Sequence, residues 1–201
     1  MLGLPKSTEL SKQLPKKSIY AKFQMNTAAK ERMDADVSRI TIVNELSPTR
    51  INIAAGEKIS SFYVLLVSLK KKDFDERNIV TISKLIPQNM LLILECEQEA
   101  KLAVYHTKLI QTEWKNKESL TIDIKGLNFD KVWENIITEI GDIEIEQGSS
   151  LDEQISRNER IEKLKKEIEK LEKQARAEKQ PKKKFDLVKK INALKKEIQN
   201  G

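Results

Sequence analysis

One histidine, one cysteine and a chain that is 34% charged leave few ways to build a reaction centre. The pattern nearest to chemistry is Glu113-Trp114-Lys115. Mg²⁺-dependent nucleases place an acid on one strand and an acid-x-Lys triplet on the next, because the carboxylates hold the metal and the lysine orients the attacking water. Asp73, Asp75, Glu95 and Glu97 are the acids that could complete such a set, and the nuclease candidates are Asp73, Glu95, Glu113 and Lys115. The triplet also arises by chance in a chain this charged, and no clean strand precedes Glu113, so the competing expectation is a solvated surface. His106, the lone histidine, falls in an alternating stretch on the parity of Leu102 and Val104 and reads as structural. Without a second histidine or a cysteine cluster, zinc would have carboxylates alone, which it rarely accepts. No Gly-rich phosphate loop and no Gly-x-Ser-x-Gly elbow occurs. We therefore expect no catalytic residues, no metal and no cofactor.

Binding chemistry is better represented. Residues 157–201 carry 16 Lys and Arg against 8 Asp and Glu, a net +8; residues 1–32 carry a net +5, and the 33–156 stretch between them a net −7. An acidic body between basic ends suggests that the ends meet polyanions or an acidic partner. Lys179, Lys182, Lys183, Lys184, Lys189 and Lys190, with Phe185 as the one aromatic among them, are the candidate contacts. Earlier in the tail, glutamates alternate with the lysines, as any solvated helix surface requires.

The elements that must position these residues follow from periodicity. Ser7–Gln13 is helix-compatible between Leu4-Pro5 and Leu14-Pro15, within an arm held down on the body. Residues 27–36 favour helix, and the β-branched RITIVNELSP after them favours strand. Gly56-Glu57-Lys58 marks a turn. Ile59–Leu69 reads as a buried strand, and Asp73 with Glu76 as a capping box opening a helix through Leu85, stopped by Pro87. Met90–Glu95 reads as a central strand, Lys101–Leu109 as its antiparallel partner and Ser119–Ile124 as a further short strand. Phe129–Ile140 is an amphipathic helix with Gly141 as its C-cap.

Beyond a break at 146–150, Ser150 and Glu153 form a second capping box. Ile161, Leu164, Ile168, Leu171 and Ala175 then recur at heptad steps, and after Gln180-Pro181 so do Leu187, Ile191, Leu194 and Ile198. Two seams of one period joined by a short break predict an antiparallel helical hairpin. The expected fold is α+β: a mixed or antiparallel sheet flanked by helices over 1–146, with a basic N-terminal arm, and a charged hairpin over 150–201. Cys96, in an apolar run, reads as a buried thiol. The N-terminus lacks an apolar core long enough for a signal peptide, and no run approaches about 18 apolar residues, so the expected location is the cytoplasm.

Several passages resemble a bacterial family designated domain of unknown function 4391. They are LPKSTELSK and LPKKSIY near the start, LSPTRINI at Leu46–Ile53, the apolar strand before Lys70, and KLIPQNMLLILE at Lys84–Glu95. Thr112-Glu113-Trp114, LNFDKVWENI and the tail RIEKLKKEIEKLEKQARAEKQPKKKFDLVKKINALKKEI complete the likeness. The resemblance implies genes lying beside helicases and DNA methyltransferases in restriction-like or phage-defence clusters, and hence an accessory subunit. It points to Glu113-Trp114 and the EKQPKKKF turn as features and implies no catalytic residues. The leading expectation is a non-enzymatic adaptor that docks to a helicase or methyltransferase and contacts DNA through the hairpin. The alternative is a small Mg²⁺-dependent nuclease in the same setting. The third reading is a self-assembling structural protein, a homo-oligomer held by hairpin–hairpin packing.

Overall fold

The most apolar run of the chain forms the middle of a seven-stranded mixed sheet. The computed structural model describes residues 2–146 and 148–200, so Met1, Gln147 of the expected break and Gly201 lie outside the described residues. Two compact units are present, Met1–Asp142 and Ile143–Gly201. In the first, the strands are β1 (Glu9–Gln13), β2 (Val37–Leu46), β3 (Phe62–Leu69), β4 (Asn89–Cys96), β5 (Glu99–Tyr105), β6 (Leu109–Gln111) and β7 (Lys115–Asn116). They lie in the order β1-β2-β3-β4-β5-β6, with β7 also pairing with β5. All pairs are antiparallel except β3 and β4, which run parallel from Phe62 opposite Asn89 to Ser68 opposite Glu95. A parallel pair needs a crossover, and α4 (Glu76–Ser83) supplies it. The fold is α+β, as its pattern predicts.

Each face of the sheet is covered by helices whose apolar spacing fits it. Ile19 of α1 (Lys16–Lys22), Met33 of α2 (Thr27–Asp36) and Ile79 and Ile82 of α4 share a buried cluster with Ile40, Leu65, Val67, Leu92 and Leu94. The short α3 (Pro48–Ile51) lies between β2 and β3. Opposite-parity residues such as Phe62 meet α5 (Phe129–Gly141): the Phe62 ring lies 5.9 Å from Phe129 and 5.1 Å from Trp133. All six predicted apolar positions of α5 are buried. Each side chain of that size gains roughly 1.5–3 kcal/mol on burial, which outweighs any cap. At the start of α5 the Asp130 carboxylate accepts the Glu57 and Ile59 N–H groups at 2.7 and 2.8 Å, and a β-carbon at Gly56 would run into that carboxylate.

Five local expectations are corrected. Ser7–Gln13 is a 3-10 turn (Lys6–Thr8) followed by β1, because pairing with β2 overrides a weak helical preference. The helix cap before α4 is Asp75, not Asp73. The Asp36 carboxylate holds the Asp75 N–H at 2.8 Å, the Asp75 side chain accepts from the Arg77 N–H, and Asp73 is left exposed. Lys101–Leu109 divides into β5 and β6 around a turn at His106–Lys108, so His106 is a turn residue. Ser119–Ile124 buries Leu120 and Ile122, as its alternation suggests, yet among the described residues it makes only an isolated bridge from Thr121 to Leu2. The side of β5 away from β4 is taken by β6 and β7. Gly141 is the last helical residue, and Asp142, with φ +47°, is the C-cap.

Sheet edges are polar or very short. β1 is exposed except at Leu10, and its register with β2 shifts between Glu9 and Lys12. At the other side, β6 has three residues and β7 two.

Candidate functional site

In the second unit, α6 (Leu151–Ala177) opens with the expected capping box: the Glu153 carboxylate accepts the Ser150 N–H at 2.8 Å and the Ser150 hydroxyl accepts the Glu153 N–H at 3.3 Å. Glu178–Gln180 turns the chain, and α7 (Pro181–Asn200) returns along it. Ile168, Ala175 and Ile191 are buried in the seam, with Leu171, Leu187, Leu194 and Ile198 packed on them. Ile161 and Leu164 are half-buried. Arg160 pairs with Glu197 at 2.6 Å and Lys195 with Glu172 at 2.8 Å across the hairpin.

Because the apolar seam of α7 faces α6, its lysines face water. Lys182, Lys183, Lys184, Lys189 and Lys190 are exposed, as is Lys179 in the turn. Among the described residues none of these six makes an ion pair, whereas Lys195, beside the seam, does. Phe185 is 70% exposed and Val188 41%. The structure thus brings the predicted cations and Phe185 onto one helix and its adjoining turn. Sequence reasoning missed Lys196 and Val188. Lys182, Lys189 and Lys196 differ by seven, and that step was the signal.

The nuclease candidates are less convergent. Asp73 is exposed in the turn after β3 and Glu113 is exposed between β6 and β7. Register puts Ser68, Glu95, Ala100 and Lys115 in one row across β3, β4, β5 and β7, which separates Glu95 from Lys115 by a strand. The neighbour that reaches Glu95 is Lys117, at 3.3 Å. Among the described residues no group of three or more His, Cys, Asp or Glu side chains stands where it could hold a metal ion.

A different cluster does come together around Trp114. Lys101 is only 9% exposed, and its ammonium lies 4.9 Å from the Phe74 ring and 5.0 Å from the Trp114 ring. Burial holds its pKa below the ordinary lysine value, against the opposing pull of Glu76 and Glu113. Beside it, the Gln111 Nε2 donates to Glu76 at 2.5 Å while the buried Gln111 Oε1 has no partner among the described residues. Lys72 reaches the Trp114 ring at 5.7 Å and pairs with Glu99. Glu113-Trp114 therefore belongs with Lys101 rather than with Lys115. The sequence signal was parity: Lys101 shares a face with Ala103 in a strand buried on both sides. Cys96 is also buried, and burial raises its thiol pKa, so it is held as an unreactive thiol.

A family model described as Domain of unknown function (DUF4391) matches residues 2–198. No curated protein and no solved structure matches the chain. No helix among the described residues is long and apolar enough to cross a membrane.

Proposed function

With the chain a member of the DUF4391 family over nearly its whole length, we propose that it is a non-enzymatic adaptor. It docks to a nucleic-acid-processing enzyme, a helicase or a methyltransferase of a restriction-like phage-defence system, and contacts DNA through its hairpin in the cytoplasm. The observation that carries the reading is the outer surface of α7, where Lys182, Lys183, Lys184, Lys189 and Lys190 are exposed and, among the described residues, unpaired. Clustered cations without counter-ions repel one another, and a polyanion or an acidic protein surface relieves that repulsion while releasing its own counterions.

The test is capture from host extract, with bound proteins identified by mass spectrometry. The intact chain retains a helicase or methyltransferase, and a variant with those five lysines changed to Glu retains roughly tenfold less at an unchanged circular dichroism spectrum. Equal capture by both proteins, or capture of neither enzyme class, overturns the proposal.

A further inference from the structure

Lys182, Lys189 and Lys196 are spaced by seven, so successive lysines drift only about 20° around α7. They form a line about 21 Å long at about 1.5 Å per residue. Phe185 lies three residues after the first and four before the second, and so stands on the same line. It projects away from the seam made by Leu187, Ile191 and Leu194. Asp186 is the one carboxylate on the flank, turned about 100° from Phe185. Pairing with Arg160 occupies Glu197.

We infer that this outer face of α7 binds single-stranded nucleic acid, with Phe185 stacking on a base and Lys182, Lys189 and Lys196 holding phosphates along it. The inference deepens the basic-hairpin reading above and rests on it. Each alternative occupant leaves part of the surface unexplained. A protein partner needs on the order of 800 Å² from each side with an apolar centre, and lysine is depleted in such surfaces. Phe185 and Val188 are the only exposed large apolar side chains described on α7. A duplex would satisfy the lysines, but its bases are stacked inside, and Phe185 would find no more than a thymine methyl in the major groove. A single strand offers phosphates and open π-faces together, and any base can stack on the ring. At about 3.4 Å per stacked nucleotide, the line of lysines spans about six nucleotides.

The test is fluorescence anisotropy of the intact chain with a labelled mixed-sequence 12-mer as single-stranded DNA, as RNA of the same sequence and as a DNA duplex. Single strands bind about tenfold or more tighter than the duplex, with a log–log salt slope near −2 for about three phosphate contacts. Phe185→Ala weakens single-strand binding roughly 5- to 100-fold, Phe185→Trp retains it, and the Lys182→Glu, Lys189→Glu, Lys196→Glu triple variant abolishes it. These residues are exposed and outside the seam, so an unchanged circular dichroism spectrum confirms the fold of each variant. Equal affinity for duplex and single strand, with Phe185→Ala silent, overturns the stacking inference and leaves the adaptor reading standing. Absence of binding to every strand overturns both the inference and the DNA contact of the adaptor, and assigns the face to a protein.

Discussion

Among the described residues Lys101 has no ion-pair partner within contact distance, so the two rings beside it and the charges of Glu76 and Glu113 are what offset the burial of its charge. A cation–π contact contributes roughly 0.5–1 kcal/mol, more when desolvated. The depressed pKa says that burial wins over the pull of those two carboxylates. Methionine keeps the stem, drops the charge and makes sulfur–aromatic contacts of its own. Lys101→Met is therefore expected to be about 1 kcal/mol more stable at pH 7, a rise in Tm of roughly 2–4 °C for a chain this size. The sign with pH follows: the unfolded chain holds this proton more tightly, so the wild type gains stability as pH rises toward the ordinary lysine value of 10.5. Thermal melts at pH 7 and pH 10 check both points, since the advantage of the variant has to shrink at the higher pH.

Asp36 carries the opposite sign. Burial pushes its pKa up, but the Asp75 N–H, Lys71 and Asn78 together hold it below the ordinary 3.8. Its stabilisation is complete above that value and is lost as pH falls through the lower, folded pKa. Asp36→Asn should cost about 1.5–3 kcal/mol at pH 7, because a charged acceptor of hydrogen bonds becomes neutral. The urea midpoints of variant and wild type are expected to converge as pH falls below 3.8; a constant gap down to pH 2 would show that Asp36 acts by shape alone.

At the scale of elements, α6 and α7 hold together through a thin seam, and α5 through a broad one. Ile191 is the one fully buried apolar residue described in α7, and Ile191→Asp puts a charge where it has no partner, at a cost of about 3–5 kcal/mol. Both tryptophans, Trp114 and Trp133, lie in the first unit. The expected result is loss of far-ultraviolet helix signal with the near-ultraviolet tryptophan spectrum unchanged. Loss of both signals together would mean that the sheet depends on the hairpin. Elements with a clear period, α5, α6, α7 and β4, were legible in the sequence because burial on one face or on both leaves its mark on every residue. β1 and the 119–124 stretch were not, since pairing with a distant strand, or its absence, decided them. Asp75 took the cap from Asp73 for a related reason: Asp36, far away in sequence, fixes where α4 begins.

For the whole molecule, charge partition was the most readable property. Exposed lysines need no partner to stay where they are, so the basic face of α7 could be drawn from composition and heptad phase. The Lys101 cluster was hidden because Phe74, Glu76, Lys101, Gln111 and Trp114 come from separate segments that only the sheet brings together. Sheet order has one more consequence. β3 and β4, which would readily template one another in an unfolded crowd, are both interior, while the edges are a polar, register-shifted β1 and the three- and two-residue β6 and β7. Short, charged or irregular edges do not accept a foreign strand. The native protein should thus resist amyloid-like growth even at high concentration, and the danger is confined to the moments of folding before β5 and β2 have closed over the apolar centre.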